Sequence, residues 1–331
     1  MLKKLVFLGM GGTIAGSSDS STDNVGYKAG QVCVTDLLEV IAGLQSVLGD
    51  HQLVSEQVAQ LDSKDLGHGH WKALALRVVH FLTAADVSAL VITHGTDTLE
   101  ETAFFLSRVL PFELLASKSV VLTCAMRPAS SSAPDGPQNV LDAVATALSP
   151  AARGVLVVCA GVVHSARDVQ KVHPYRVSAF DSGDSGPLGF VEERVVRWVH
   201  PCGDASAAAK AFPLEKLALG TWPWVEIVLS HAGVTGAVVR ALCSYSKGAA
   251  PLLGGIVVAG TGNGTIHHDL EAALREAQKQ GVRVVRSTRC AQGCVVPGSA
   301  VFEFAHSMGL SPVKARIALM LDLMQQGKST P

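Results

Sequence analysis

Short runs of β-branched and apolar residues alternate along this chain with longer stretches in which apolar side chains recur every three or four positions. Strands buried on both faces read as near-continuous apolar runs, so the alternation predicts an α/β fold: a parallel sheet covered by helices on both sides. In the first part the strand-like runs fall at 4–8, 89–93, 119–124 and 154–159. Helical period falls at 65–82 and 98–110, the latter opened by a Thr98-x-x-Glu101 capping box. The period lapses over 201–222, a Pro-punctuated stretch with an Ala-rich middle, and then resumes. Strands are expected at 225–229, 254–259 and 282–286, and helices near 235–247, 269–280 and 312–326. The expected architecture is therefore two α/β domains: a doubly wound, largely parallel sheet in a large N-terminal domain, 1–200, a linker, 201–222, and a smaller flavodoxin-like C-terminal domain, 223–331. No internal repeat of solenoid period interrupts this reading.

Composition narrows the partners. A chain of 331 residues, 48% hydrophobic, can bury a substantial core. The formal net charge is -1 and no stripe of Lys and Arg is present, which argues against a nucleic-acid partner. The longest apolar stretches, such as 154–163, are too short to span a bilayer, so a soluble protein is expected. The opening Met1-Leu2-Lys3-Lys4-Leu5-Val6-Phe7-Leu8 has charge followed by apolar residues, but only four apolar residues precede Gly9 and no small-residue cleavage site follows. It reads as a first buried strand. Seven scattered cysteines, an odd number and several within apolar runs, suit thiols in a reducing cytoplasm.

Three segments carry candidate chemistry. Gly9-Met10-Gly11-Gly12-Thr13-Ile14-Ala15-Gly16 follows the first strand, but a dinucleotide fingerprint would need glycine where Ile14 stands and a downstream acid that is absent. What remains is the Thr13 hydroxyl, presented by glycines at a sheet edge, which reads as turn chemistry or as a nucleophile. Thr93-His94-Gly95-Thr96-Asp97-Thr98 lies between a strand and a helix start, where free N–H groups suit a carboxylate or an oxyanion. Asp97 and Thr98 serve equally well as capping residues. Lys171, after Arg167-Asp168-Val169-Gln170, is either a solvated lysine or a proton relay, and Ser63 is either a helix cap or a ligand contact. Residues 16–30, polar and holding the single aromatic Tyr27, read as a connector or as a lid. His68-Gly69-His70, His267-His268 and Cys290 with Cys294 lack a second half at metal-site spacing, so no metal or cofactor is expected.

In order along the chain, these segments resemble the bacterial-type L-asparaginase family. The resemblance rests on GGTIAG at 11–16, VITHGTDTLEETA at 91–103, AMRP and DGP at 125–128 and 135–137, RGVLVV at 153–158, RDVQK at 167–171, GPLG at 186–189 and GNG at 262–264. It implies hydrolysis of L-asparagine to L-aspartate and ammonia, with Thr13 as nucleophile and Tyr27 as its lid partner. Thr96, Asp97 and Lys171 would form a second catalytic group, in which Asp97 also holds the substrate ammonium. Ser63 would bind the substrate α-carboxylate, and Asn263 would reach a neighbouring subunit's site in a homodimer or homotetramer. Two positions depart from the family pattern. Lys64 stands where the family usually has Gln, and no acid lies in 294–301, the nearest being Glu303. Other readings of the same fold are hydrolysis of another amide, such as L-glutamine, and non-catalytic amino-acid binding.

Overall fold

The computed structural model describes residues 2–202, 212–218, 222–296 and 304–326. The chain divides into two compact units, 1–211 and 212–331.

In the first unit the strands are β1 (Lys4–Gly11), β2 (Gln52–Leu61), β3 (Val87–Thr93), β4 (Ser119–Thr123), β5 (Gly154–Cys159), β6 (Val162–Ser165), β7 (Gln170–Lys171), β8 (Phe180–Asp181), β9 (Gly189–Glu192) and β10 (Val195–Trp198). Eight of them form one sheet, ordered β10-β9-β6-β5-β4-β3-β1-β2, while β7 and β8 pair separately. From β5 to β2 all neighbours are parallel. The edge from β5 through β6 and β9 to β10 is antiparallel. The helices are α1 (Val34–Glu39), α2 (Leu44–Leu48), α3 (His68–Thr83), α4 (Leu99–Val109), α5 (Phe112–Leu115) and α6 (Gly136–Leu148).

Both faces of β1, β3, β4 and β5 are buried, as their apolar runs predict. Leu5, Phe7, Val91, Val121, Leu156 and Val158 pack with α1, α2 and α6 on one face. Leu90, Ile92, Val120 and Leu122 are buried on the other, where α3 and α4 lie and Trp71 stacks on Phe105 at 4.9 Å. This arrangement contains an exception to a strong rule. The connections β3-α4-β4 and β4-α6-β5 step the same way across the sheet but run over opposite faces, so they have opposite hands, where crossovers are almost always right-handed. The unusual crossover seats the start of α6 under the turn after β1: a Cβ at Gly136 would lie 3.0 Å from Ile14.

Several elements were not marked by the hydrophobic pattern. β2 is an edge strand of only partial burial, so its residues do not alternate cleanly. The helix expected at 65–82 begins at His68, because residues 63–65 form a separate 3₁₀ turn capped by Asp62. Thr98 is the N-cap of α4 but makes no side-chain cap bond. The expected capping box is replaced by a longer tie, the Thr98 hydroxyl donating to the Ser63 carbonyl at 2.9 Å.

The second unit is a smaller α/β layer. Its helices are α7 (Leu214–Ala218), α8 (Ala237–Ser246), α9 (His268–Lys279) and α10 (Pro312–Gln326). Its strands, β11 (Trp224–Leu229), β12 (Leu253–Gly260), β13 (Arg283–Thr288) and β14 (Ala305–His306), are parallel and follow in chain order. Helices α8 and α9 cover one face through Val239, Leu270 and Leu274. On the other, α10 lies close against β12: a Cβ at Gly255 would come within 2.6 Å of Leu319. The segment 201–222 includes α7, whose Lys216 ammonium donates to the Met324 carbonyl at 2.9 Å and the Gln325 carbonyl at 2.5 Å, binding the C-terminal end of α10.

Candidate active site

The parallel strands of the first unit run in the order 2-1-3-4-5, so the chain leaves β1 in one direction and β3 in the other. Open α/β sheets bind ligands at that reversal, outside the carboxyl ends of the two strands. Here those ends carry Thr13 and the Thr96-Asp97 pair.

Gly11, Gly12 and Gly95 bring the strand ends together. Gly11 and Gly12 have φ of 85° and 83°, which a side chain rarely adopts. A Cβ on Gly12 would fall on the Gly95 backbone, and one on Gly95 would lie 2.5 Å from the Ser63 hydroxyl oxygen. Thr13 and Thr96, each one residue beyond these glycines, are both buried.

The Thr13 Oγ1 lies 2.6 Å from the Tyr27 hydroxyl. Residues 16–30 deliver that phenol as a closed loop. Ser17 and Lys28 exchange backbone hydrogen bonds of 3.0 and 2.8 Å at its base, and Gln31 N–H donates to the Ala15 carbonyl at 2.7 Å. Asp23 accepts from the Val25 and Gly26 N–H groups within the tip. Burial raises the Tyr27 pKa above its ordinary value of 10, against the bond from Thr13, which lowers it. The phenol is therefore held protonated.

Lys171, on β7, places its ammonium 2.8 Å from the Thr96 hydroxyl oxygen and 2.6 Å from the Asp97 carboxylate. Its backbone N–H donates to Glu100 in the first turn of α4 at 2.8 Å, so both ends of the residue are held from one helix start. The lysine side chain is 17% exposed and the Asp97 side chain 53%, leaving the carboxylate open to a ligand.

Ser63 is buried, and its hydroxyl has no hydrogen-bond partner among the described residues. A buried, unsatisfied hydroxyl is costly, and this one, packed against Gly95 two residues before the open Asp97 carboxylate, suits a ligand's polar group. It is not a cap, since Asp62 takes that position. Lys64, next to it, is exposed and clamped by Asp62 at 2.8 Å and Asp65 at 3.0 Å. The hydrogen bonds to these carboxylates raise its pKa, so it stays charged and locally compensated.

The structure thus gathers Thr13, Tyr27, Ser63, Thr96, Asp97 and Lys171 in the first unit. Asn263 belongs to the second, in the turn 261–265 closed by Thr261 and Thr265. Its amide donates to the Val296 carbonyl at 3.0 Å and its Oδ1 accepts from the Val296 N–H at 2.7 Å, so it braces the chain just before residues 297–303. Glu303 lies outside the described residues.

Sequence reasoning passed over Asp135 and Asn139. The Asp135 carboxylate accepts from the Met126 and Arg127 N–H groups at 2.9 Å each. Asn139 donates to the Cys124 carbonyl and accepts from the Ala160 N–H, tying the ends of β4 and β5. These bonds account for AMRP and DGP as one folded unit. Among the described residues, His267, His268 and Asp269 form the only group of three metal-type ligands within 4.8 Å of one another. They are consecutive residues, and His267 Nδ1 already accepts from the Asp269 N–H.

Comparison with known proteins places the chain in a family. Residues 4–202 match the family model described as "Asparaginase, N-terminal", and residues 224–330 the one described as "Glutaminase/Asparaginase C-terminal domain". The chain is 35% identical over 330 residues to L-asparaginase 2 of Escherichia coli, covering 98% of this chain and 90% of that protein. It is 34% identical to the glutaminase-asparaginase of Pseudomonas fluorescens, covering 97% and 86%. A crystal structure of a probable cytoplasmic L-asparaginase from Campylobacter jejuni superposes with a TM-score of 0.87 at 34% identity, covering 98% of this chain and 95% of that one.

Proposed function

The chain belongs to the asparaginase family and is an amidohydrolase of L-asparagine, and we propose that Thr13 is its nucleophile. The observation that carries this reading is the partly buried 2.6 Å contact between the Thr13 and Tyr27 hydroxyls at the reversal of strand order.

The chemistry follows from the placement. The Thr13 hydroxyl attacks the side-chain amide carbon of asparagine and gives up its proton as the bond forms. Tyr27, held neutral, takes that proton only by passing its own onward, as a relay to the leaving nitrogen. The Lys171-Thr96-Asp97 group is the second proton path. The carbonyl oxygen becomes an oxyanion, steadied by the Thr96 N–H at the entry to α4. The carbon–nitrogen bond breaks, ammonia leaves, and water hydrolyses the Thr13 ester to aspartate. The open Asp97 carboxylate holds the substrate ammonium, and the unsatisfied Ser63 hydroxyl its α-carboxylate. Lys64 does not repel the ammonium, since Asp62 and Asp65 neutralise it. No cofactor enters these steps.

These groups belong to the domain spanning 1–200, joined through 201–222 to the domain at 223–331. The active form is a homodimer or homotetramer, in which Asn263 approaches a neighbouring copy's site. Each of its amide atoms keeps one hydrogen-bonding position beyond those used on Val296. The cytoplasm is its compartment, in keeping with seven cysteines that are all free thiols. No helix among the described residues is long and apolar enough to cross a membrane.

Ammonia release from L-asparagine and, separately, L-glutamine, with Thr13→Ala in parallel, tests the assignment. Release by the native chain that falls by about 10³-fold or more in a folded Thr13→Ala variant is expected. An active variant would remove Thr13 from the mechanism, and the glutamine rate measures selectivity.

A further inference from the structure

His94 sits between β3 and the Thr96-Asp97 turn and is wholly buried. Its Nδ1 lies 2.7 Å from the Gly95 carbonyl oxygen. A carbonyl can only accept, so that nitrogen carries the proton and Nε2 is a bare acceptor. Nε2 meets no hydrogen-bond partner among the described residues. Burial pushes the ring's pKa down to about 4, against a smaller upward pull from the Gly95 bond, so the imidazole is neutral near pH 7. A Leu of similar size would avoid the desolvation cost of that bare nitrogen. What the cost sustains is one donor aimed at one carbonyl.

That carbonyl belongs to the peptide joining Gly95 to Thr96, whose other end is the Thr96 N–H. This N–H has no acceptor among the described residues. A hydrogen bond to the oxygen of a peptide draws charge from its nitrogen, strengthening the N–H as a donor by roughly 10–30%. The same bond fixes the plane of a peptide that no side chain at Gly95 can brace, at the point where Gly12 and Ser63 press against it.

We propose that His94 is a positioning residue: its Nδ1–H orients and polarises the Gly95–Thr96 peptide so that the Thr96 N–H is presented to the oxyanion formed when the amide is attacked. This rests on the Thr13 assignment above. The ring transfers no proton and touches no substrate; it acts through the peptide.

The test compares His94→Asn with His94→Leu in the full chain. Asn carries its amide nitrogen on Cγ, as His carries Nδ1, and so keeps the donor; Leu keeps the volume and loses it. In His94→Leu, kcat for L-asparagine should fall about ten-fold with KM within about two-fold, less than the ~10²–10³-fold cost of deleting an oxyanion donor itself. His94→Asn should recover most of that loss, and the pH dependence of kcat above pH 5 should be the same in all three proteins. Equal losses in Leu and Asn would mean packing alone and overturn the proposal, as would a Leu variant with native kcat. Thr13→Ala assayed beside them separates the two readings: if it is inactive, a failure belongs to His94, and if it is active, the nucleophile assignment falls and this proposal with it. Should His94→Leu not fold by circular dichroism, His94→Gln, whose amide sits one methylene too far out, replaces it; native kcat in that variant would equally overturn the proposal.

Discussion

Both units cover parallel strands with helices, yet the candidate chemistry gathers in one of them. In the second unit β11, β12, β13 and β14 follow in chain order, so each connection steps the same way and no crevice opens between diverging strand ends. In the first, β1 leads outward to β2 while β3 leads the other way to β4. The glycines differ accordingly. Gly254 and Gly255 let α10 settle on β12, which serves packing. Gly12 and Gly95 let two backbones touch beyond the strand ends, which brings two threonines and a serine into one place. Glycine at a sheet thus has two uses, and topology decides which.

Lys171→Met breaks the site most severely after loss of Thr13. It removes the ammonium bound to Thr96 and Asp97, and kcat for L-asparagine should fall about 10²–10⁴-fold with folding retained by circular dichroism. A rate within a factor of three of native would exclude Lys171 from proton transfer.

The comparison itself is tested by placing the same methyl group on each sheet. Gly12→Ala meets both an unfavourable φ and the Gly95 backbone, and should lower kcat by at least about 10²-fold. Gly255→Ala presses on Leu319 and should cost about 1–3 kcal/mol in urea unfolding of the assembled enzyme, with kcat and KM unchanged. Equal effects on kcat would mean that the contrast drawn between the sheets is false.

A smaller effect concerns acid. The folded pKa of His94 is about 4, below its ordinary 6.5, so the unfolded chain binds a proton that the folded chain refuses. Stability from this residue is complete above pH 6.5 and is lost as pH falls toward 4, by up to about 3 kcal/mol. Urea unfolding at pH 7 and pH 4.5 should show a shallower acid loss in His94→Asn than in the native chain. Parallel losses would place the acid sensitivity elsewhere.

Lys64→Gln should do least. The lysine is exposed and already paired with Asp62 and Asp65, so KM for L-asparagine should move by less than about three-fold. A ten-fold rise would instead make Lys64 a ligand of the substrate carboxylate.

Much of this was written in the order of residues. The apolar runs at 4–8, 89–93, 119–124 and 154–159 announced β1, β3, β4 and β5, since a strand buried on both faces needs apolar side chains on both. β2 escaped because an edge strand is only half-buried and carries charge, as at Glu56, which pairs with Arg77. Asp135 and Asn139 were quoted only as fragments of motifs or left aside, because what they bind, the N–H groups and carbonyl at the ends of β4 and β5, is unknowable without the crossover. His94 stood within a quoted motif, but nothing local says that its ring is buried or which nitrogen bears the proton.

The sequence by itself determined the α/β class and the two-unit plan, and it marked the candidate site's residue types, because burial and period are written locally. Only the tertiary structure decided that the parallel strands reverse their order between β1 and β3, that β4 joins β5 by a crossover of the opposite hand, and that Lys171 meets Thr96 and Asp97 across 75 and 74 positions of chain. Strand order depends on how whole layers pack, and no window of sequence contains it.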